Sequence, residues 1–170
     1  MGGKSRRNFI FFLYLIAGSA LGDIIHVPAD QPTIQGAIDI AASGDTVLVD
    51  DGTYNENVTI DKSDITIESK NGPGNTVILS PTTDHVIEIT ADFVNFRGFG
   101  VERAIATPSY GSGIVVSMSQ GCEISDNKIG FNSHGVALTN SRFNLVKDNV
   151  VTGVASGISL RDFSDYNEIS

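Results

Sequence analysis

The chain has 170 residues, which allows one domain, and 41% of them are hydrophobic, which is too many for an intrinsically disordered protein. It has 20 Asp and Glu residues against 11 Lys and Arg, giving a formal net charge of −9 at pH 7. Such an acidic surface repels nucleic acid and anionic membranes, so we expect neither as a partner. It also repels an acidic polysaccharide unless a cation such as Ca²⁺ lies between the two.

Residues 1–22 have the pattern of a secretory signal peptide. Three basic residues precede an apolar run over residues 9–16, and small residues follow it. The run is shorter than the roughly 20 residues of a membrane-spanning helix, which favours a cleaved leader over a retained anchor. Its Arg pair leaves a twin-arginine export route open beside the general secretory route. We therefore predict a secreted, extracellular or cell-surface protein that is not inserted in a membrane after cleavage.

Residues 23–44 predict one strand followed by one short helix. Residues 23–28 resemble a strand, and from Pro32 to Ala42 the apolar residues recur at helical spacing. These apolar residues are Ile34, Ala37, Ile38 and Ala41. Pro32 suits the first helical turn, and Gly44 suits the position just after the helix. A short amphipathic helix ahead of many strands is typical of an N-terminal cap that covers the open end of a stacked core.

The rest of the chain predicts short strands separated by turns. Alternating apolar residues mark the strands, and segments rich in Gly, Asp and Asn mark the turns. The apolar pairs are Val47 and Val49, Val58 and Ile60, Ile65 and Ile67, Val77 and Leu79, Ile87 and Ile89, Val94 and Phe96, and Phe99 and Val101. Residues 104–112 contain Pro108 and predict an inserted loop that walls a groove.

Gly113, Gly135 and Gly157 recur at an interval of 22 residues, and each opens an apolar run. A short β-rich repeat punctuated by glycine predicts a solenoid. Three short strands per 22-residue coil, stacked about 4.8 Å apart, describe a parallel β-helix over residues 45–170. A β-sandwich or barrel is the rival all-β fold, but it gives no reason for a strict repeat.

The repeat also assigns inward-facing apolar residues to three ladders that run from coil to coil. We predict the ladders to be Ile114, Val136 and Ile158; Val116, Leu138 and Leu160; and Ile124, Val146 and Ile169.

Two stretches of the chain resemble a known superfamily. Residues 25–38 (IHVPADQPTIQGAI), followed by GDTVLV over residues 44–49, resemble the N-terminus of pectin-lyase-like right-handed β-helix proteins. Residues 122–129 and 144–151 are similar to the parallel β-helix repeats of NosD-like and carbohydrate-associated surface proteins. The likeness covers residues 24–170 and implies a right-handed, single-stranded parallel β-helix. It implies no particular activity, because the superfamily includes lyases, hydrolases, esterases and non-catalytic modules.

The dipeptide Asp126-Asn127 recurs 22 residues later as Asp148-Asn149. Because Asn tolerates the left-handed backbone of a tight turn, we predict that Asn127 and Asn149 form a hydrogen-bonded structural ladder. Asp126 and Asp148 would then point outward about 5 Å apart. Two carboxylates this close repel one another, and a hard cation relieves the repulsion. A Ca²⁺ site at Asp126 and Asp148 is therefore the alternative interpretation, with neutralisation by a nearby lysine as another.

Arg161 and Asp162 are the candidate catalytic residues. A polysaccharide lyase needs an Arg or Lys base beside a carboxylate-held cation, and this pair has the right residue types. An ion pair in a solvated turn is the structural alternative. No second acid–base partner and no lyase signature accompany the pair, so the sequence requires no cofactor, and Ca²⁺ is the cation that it allows.

The remaining reactive side chains form no metal or nucleophile pattern in the sequence. His26, His85 and His134 share no metal-ligand spacing, and we expect His134 to lie in a turn. The chain has one cysteine, Cys122, so it forms no intramolecular disulfide, and we predict that its thiol is buried. Asn57 opens an Asn-Val-Thr glycosylation sequon.

The sequence therefore favours a secreted or cell-surface β-helix module that is structural or binds carbohydrate, with no catalysis evident in this segment. Its expected partner is a polysaccharide or a cell-envelope glycan. A Ca²⁺-assisted polysaccharide lyase, or a related carbohydrate-active enzyme such as a glycoside hydrolase, is the alternative. The chain stops at Ser170 inside a repeat, so we expect a β-helix that is incomplete at its C-terminus and part of a longer surface protein.

Overall fold

The computed structural model describes residues 22–104, 111–130 and 133–170. Almost all of the predicted signal peptide and most of the predicted loop at 104–112 lie outside the described residues. The described chain forms one helix and 17 strands. They are β1 (Ile24–Val27), α1 (Ile34–Ile40), β2 (Thr46–Val49), β3 (Gly52–Tyr54), β4 (Val58–Ile60), β5 (Thr66–Ser69), β6 (Thr76–Ser80), β7 (Ile87–Ile89), β8 (Asn95–Arg97), β9 (Gly100–Arg103), β10 (Ser112–Ser117), β11 (Glu123–Ser125), β12 (Lys128–Gly130), β13 (His134–Thr139), β14 (Leu145–Lys147), β15 (Val150–Thr152), β16 (Ser156–Arg161) and β17 (Glu168–Ile169).

The strands form three parallel sheets, to which each coil adds one strand. Sheet A has the order β1-β2-β5-β8-β11-β14-β17, sheet B has β3-β6-β9-β12-β15, and sheet C has β4-β7-β10-β13-β16. Coil one comprises β2 to β4, coil two β5 to β7, coil three β8 to β10, coil four β11 to β13 and coil five β14 to β16. This arrangement confirms the predicted all-β parallel β-helix with three short strands per coil.

The 22-residue period holds only in the later coils. Ser112 pairs with His134 and His134 with Ser156, at steps of 22 residues. Thr66, by contrast, pairs with Asn95, which is 29 residues further along the chain. The extra residues lie in turns between strands, so they leave the sheet pairing intact.

Helix α1 covers the first coil as predicted, with Ile34, Ala37 and Ile38 buried against the core. It is shorter than the predicted 32–42. Thr33 is the N-cap, and its hydroxyl accepts the Gly36 N–H at 3.0 Å, so Pro32 precedes the helix. No helix among the described residues is long and apolar enough to cross a membrane.

The N-terminal end of α1 is held by a residue outside the helix, and its C-terminal end is not where the sequence predicts it. The Glu56 carboxylate accepts the N–H groups of Ile34 and Gln35, each at 3.0 Å, and so satisfies two donors that a helix leaves free. The helix is followed by Ala41 in an extended conformation, so Gly44 is not the residue that ends it. Gly44 instead lies in the next turn with a φ of +93°.

The three apolar ladders are confirmed by the strand register. Ile114 pairs with Val136 and Val136 with Ile158; the equivalent pairs join Val116, Leu138 and Leu160, and Ile124, Val146 and Ile169. Cys122 is buried beside this core, as predicted, and its thiol donates to the Ala91 carbonyl at 3.3 Å.

The repeat glycines are the second residues of β10, β13 and β16 rather than turn residues. A Cβ at Gly135 would lie 2.4 Å from Val151 Cγ1 and 2.5 Å from the Gly157 carbonyl oxygen. At position 135 glycine is therefore needed, because Val151 and the next coil approach the backbone too closely for a side chain.

Sharp turns recur with a left-handed backbone at equivalent positions of successive coils. Such a φ costs an L-residue about 1–2 kcal/mol, and Gly, Asn and Asp adopt it most easily. Three columns of this kind are Asp126 and Asp148 (φ 57° and 53°) after sheet A; Met118, Asn140 and Asp162 (54°, 50° and 48°) after sheet C; and Asp64, Phe93, Gly121, Phe143 and Tyr166 (60°, 58°, 67°, 56° and 58°) before sheet A.

Candidate functional site

Asn127 and Asn149 lie at equivalent positions of coils four and five, where Asn127 Nδ2 donates to Asn149 Oδ1 at 3.0 Å. Asn127 also serves the coil before its own, because its Oδ1 accepts the Phe99 N–H at 2.9 Å and its Nδ2 donates to the Phe96 carbonyl at 3.3 Å. The left-handed residue of this turn is the preceding Asp, not the Asn. The Asn side chains therefore satisfy the turn backbone from inside the solenoid.

The sequence reasoning missed two further ladders of the same kind. Asn144 Oδ1 accepts the Cys122 N–H at 2.8 Å, and its Nδ2 donates to the Ser119 carbonyl at 3.2 Å. Asn167 repeats both bonds one coil later, and Ser141 and Ser164 form a hydroxyl version of the pattern. Spacings of 22 and 23 residues were the available signal. The inward-facing Asn and Ser side chains of the turns thus bind backbone groups and have a structural role.

Asp126 and Asp148 are both exposed and occupy the left-handed positions that favour Asp. The nearby Lys147 pairs with Glu123 at 3.1 Å rather than with either Asp. No group of three or more His, Cys, Asp or Glu side chains in residues 22–104, 111–130 and 133–170 is arranged to hold a metal ion. The left-handed backbone conformation therefore gives a structural reason for the two Asp residues.

Arg161 and Asp162 are neighbours in the chain but belong to different structural elements. Asp162 is a left-handed turn residue, whereas Arg161 ends β16 on the outer face of sheet C. Arg161 Nη2 lies 2.7 Å from His134 Nε2, and Arg161 Nε donates to Ser159 Oγ at 3.2 Å. Since the guanidinium stays protonated, it donates to the imidazole, which leaves the His134 proton on Nδ1.

Arg161 therefore has neutral partners instead of the expected turn ion pair. Among the described residues, the ion pairs join Lys70 to Asp50, Arg97 to Glu68 and Lys147 to Glu123. His134 is the first residue of β13, which corrects its predicted place in a turn.

His85 lies close to this pair, and its spacing in the sequence does not indicate this. Its Nδ1 accepts the Ser112 N–H at 2.9 Å, and Ser112 pairs with His134 in the sheet. Burial, the charge of Arg161 and then that of His85 lower the pKa of His134. Sheet pairing thus brings His85 and His134 together, although they are 49 residues apart in the chain.

A groove of about 370 Å³, lined mostly by polar residues, continues from His85 along the same side of the molecule. Its lining includes Asn57, Thr59, Thr82, Asp84, His85 and Glu88. Asn57 Nδ2 donates to the His85 carbonyl at 2.5 Å, and Asn57 Oδ1 accepts from Thr82 Oγ1 at 3.2 Å. A glycan attached at the Asn57 sequon would displace the first of these bonds. We call the surface formed by this groove with His134 and Arg161 the sheet C face.

The solved structures that resemble this chain include several pectin methylesterases. A mutant pectin methylesterase in complex with a hexasaccharide has a TM-score of 0.57 at 13% identity, covering 78% of this chain and 55% of that chain. A second hexasaccharide complex has a TM-score of 0.52 at 13% identity, with coverages of 85% and 66%. The enzyme PemA from Erwinia chrysanthemi has a TM-score of 0.51 at 12% identity, with coverages of 78% and 55%.

At such low identities these structures share only the fold, the pectin-lyase-like right-handed β-helix. The chain spans between 55% and 66% of the length of these structures. No curated protein sequence matches it.

A sequence family described as "periplasmic copper-binding protein (NosD)" matches residues 38–170. The described residues do not fit a copper site, because His134 Nε2 faces the Arg161 guanidinium and a metal ion there would meet a like charge. The Cys122 thiol is buried, and burial raises its pKa, which disfavours the thiolate that binds metals. The family match nevertheless covers most of the sequence, and the chain therefore belongs to the NosD family of periplasmic β-helix proteins.

Proposed function

We propose that this protein is a periplasmic or secreted glycan-binding β-helix protein, and that its described segment binds the glycan on the sheet C face without catalysing a reaction. The observation that carries the proposal is the convergence of His85, His134 and Arg161 beside a polar groove.

Arg161 supplies an exposed positive charge in a chain with a net charge of −9. Its guanidinium has five N–H donors, and two of its partners among the described residues, His134 Nε2 and Ser159 Oγ, are neutral. The remaining donors suit the oxygen atoms of a sugar or of an acidic sugar substituent. His134 holds one side of the guanidinium and so restricts its orientation.

The groove beside His85 supplies the complementary hydrogen-bonding groups. Asn57, Thr82, Asp84 and Glu88 offer amide, hydroxyl and carboxylate groups to sugar hydroxyls. Its volume of about 370 Å³ lies at the lower end of the range for small-ligand sites, which suits a short stretch of a longer chain. The strands β7 and β16 are three coil steps apart, or about 14 Å, so one oligosaccharide laid across the coils reaches both the groove and Arg161.

Two findings from the comparisons support a glycan as the ligand. Two similar structures are enzymes solved with a hexasaccharide, so an oligosaccharide can be accommodated by a protein of this fold. The family description is periplasmic, and a periplasmic protein meets the glycans of the cell envelope. These findings suit a carbohydrate ligand, and the sheet C face supplies the proposed contacts.

The test is calorimetric titration of the purified protein with hexagalacturonate and with cellohexaose, an acidic and a neutral hexasaccharide. We expect Arg161→Gln and His134→Gln to weaken the binding by about tenfold each, since a hydrogen bond to a charged group contributes on that scale. Lys128→Gln is the matched control, because it removes one positive charge from an exposed side chain of sheet B. Absence of binding, or an equal loss in the Lys128 variant, would overturn the proposal.

The Ca²⁺-assisted lyase is tested with the same samples. Hexagalacturonate is incubated with the protein in Ca²⁺ and in a chelator, and the unsaturated uronide product is followed by absorbance. The proposal of binding without catalysis expects no product in either condition. A Ca²⁺-dependent product that disappears in Asp126→Asn or Asp148→Asn would establish the lyase instead.

A further inference from the structure

A second surface carries exposed aromatic residues that the proposed site does not use. It lies at the C-terminal ends of the sheet C strands, whereas the His85 groove lies at their N-terminal ends. Phe93, Phe143 and Tyr166 form what we call the aromatic column, at the turn before sheet A. They occupy equivalent positions in successive coils, with Gly121 between Phe93 and Phe143. Their exposed fractions are 55%, 60% and 76%. Exposed apolar groups in a contiguous row are typical of a binding surface.

The backbone does not call for aromatic residues in this column. All three have a left-handed φ, which bulky side chains adopt at a cost in free energy. The same position holds Asp64 and Gly121 in other coils, and those residue types suit the turn far better. Unfavourable backbone conformations that persist without serving the fold are concentrated at functional sites.

The rings form an apolar strip along the axis of the solenoid. Phe143 and Tyr166 are stacked, with their centroids 5.2 Å apart and their planes 7° apart. Phe93 lies across Gly121, because a Cβ built there would be 2.5 Å from Phe93 Cδ1. Gly121 therefore serves two purposes. It adopts the turn conformation, and it makes room for the ring of Phe93 from the preceding coil.

A groove of about 320 Å³ lies alongside the column, because Asp92, Gln120 and Arg142 in its lining each directly precede a residue at the column's turn position. The groove is lined by Asp92, Met118, Gln120, Asn140, Arg142 and Phe163, among others. Asp92 accepts the Gln120 N–H at 2.9 Å, and Arg142 Nε donates to the Phe163 carbonyl at 3.3 Å, so both charged side chains are held in place. The three rings of the column do not line this groove, but its fixed polar groups are next to them in the chain.

We infer that the aromatic column is a second glycan contact, for a neutral sugar chain that lies along the solenoid axis. A pyranose ring has C–H groups on its faces and hydroxyls at its rim, so it packs on an aromatic ring while its rim binds polar groups. Asp92 and the net charge of −9 disfavour an acidic chain here. The class of ligand rests on the proposed glycan-binding function, but the contact uses no residue of the sheet C face.

The experiment titrates cellohexaose into the purified protein and into variants of the column. Phe143→Ala and Tyr166→Ala are expected to lower the affinity about tenfold, whereas Tyr166→Phe keeps the ring and changes it by less than about twofold. Ile40→Ala is the control, because Ile40 is an exposed apolar residue (58%) at the end of α1. Thermal unfolding of each variant is measured in parallel.

Each outcome separates this inference from the proposed function. If Phe143→Ala and Tyr166→Ala lower the melting temperature but leave the affinity unchanged, the column is purely structural and the inference is wrong. If hexagalacturonate alone binds, and through Arg161, the inference fails while the sheet C site stands. If the column variants lower the affinity for cellohexaose and Arg161→Gln leaves it unchanged, the inference stands and the sheet C site fails. If neither sugar binds, both are wrong.

Discussion

Coils four and five share one sequence pattern and one register, yet they differ in burial. Leu138 in coil four is fully buried, whereas Leu160 at the same position in coil five is 45% exposed. Asn127 is 1% exposed, and its equivalent Asn149 is half-buried. Within residues 22–170, coil four lies between two complete coils, whereas β17 alone follows coil five. In a solenoid the energetic weight of a residue is therefore set by its neighbours in the stack as much as by its own type.

The sharpest test of this difference is the pair Leu138→Ala and Leu160→Ala. We expect Leu138→Ala to lower the free energy of unfolding by about 2–5 kcal/mol, because it leaves a cavity in a packed core. Leu160→Ala should cost less than about 1 kcal/mol, since much of that side chain is already in water. Urea denaturation measures both. Equal losses would show that position in the stack does not determine the contribution of a side chain.

A smaller difference is expected between Asn127→Ala and Asn149→Ala. Removal of Asn127 strands the buried Phe99 N–H and Phe96 carbonyl, and we expect a loss of about 2–3 kcal/mol. Asn149 is half-buried, so water can replace part of its hydrogen bonding, and a loss of about 1 kcal/mol is expected. The same denaturation experiment applies, and a larger loss for Asn149 would contradict this account of the ladder.

Substituting alanine for Gly135 and for Gly157 is expected to change the stability in opposite directions. Gly135→Ala places a Cβ against Val151 and the Gly157 carbonyl, so we expect a destabilisation of about 1–3 kcal/mol. At Gly157 no atom lies within 4 Å of the new Cβ, and Gly157→Ala should be neutral or stabilising by up to about 1 kcal/mol. Melting temperatures of the two variants decide the matter, and a destabilised Gly157 variant would count against the steric explanation.

The smallest expected effect concerns how the stability of the folded protein depends on pH. Coil four contributes to this dependence through His134, whereas coil five has Ser156 at the equivalent position. Burial and the charges of Arg161 and His85 lower the pKa of His134 below its usual value of about 6.5. The folded protein thus binds this proton less readily than the unfolded chain, so the contribution to stability is complete above about pH 6.5 and declines as the pH falls below it.

His134→Ser makes coil four like coil five at this position. We expect the variant to have a flatter dependence of stability on pH between about 5 and 7 than the parent protein. Thermal unfolding across this range measures it. An unchanged slope would mean that the Arg161 contact does not disfavour protonation of His134.

The fold was predictable because a solenoid repeats its pattern locally. The 22-residue spacing of Gly113, Gly135 and Gly157 predicts the later coils, and helical spacing predicts the cap. The support of the N-terminal end of α1 was not predictable, because Glu56, which lies between β3 and β4 of coil one, accepts its first N–H groups. The reason for Asn at positions 127 and 149 was also mistaken, since the strained turn residue is the Asp before it.

The candidate sites were harder to predict because their contacts do not follow the 22-residue step. His85 and Phe93 lie in the irregular coils, and Arg161 reaches back along its strand to His134 of the coil before. His85 aligns with Ser112 through a step of 27 residues, and Arg161 contacts His134 at the same separation. Neither step equals the 22-residue period, so the sequence pattern gives no reason to group these residues. The aromatic column is hidden for the same reason, because Phe93 is 28 residues from its equivalent, Gly121.

The direction of the side-chain ladders bears on how the protein is made. Asn127, Asn144, Asn149 and Asn167 each bind the backbone of the coil that precedes their own in the chain. A coil that has just been synthesised, or has just crossed a membrane, therefore holds turn N–H groups that stay exposed to water until the next coil arrives. Each repeat therefore completes the turn hydrogen bonds of the repeat before it.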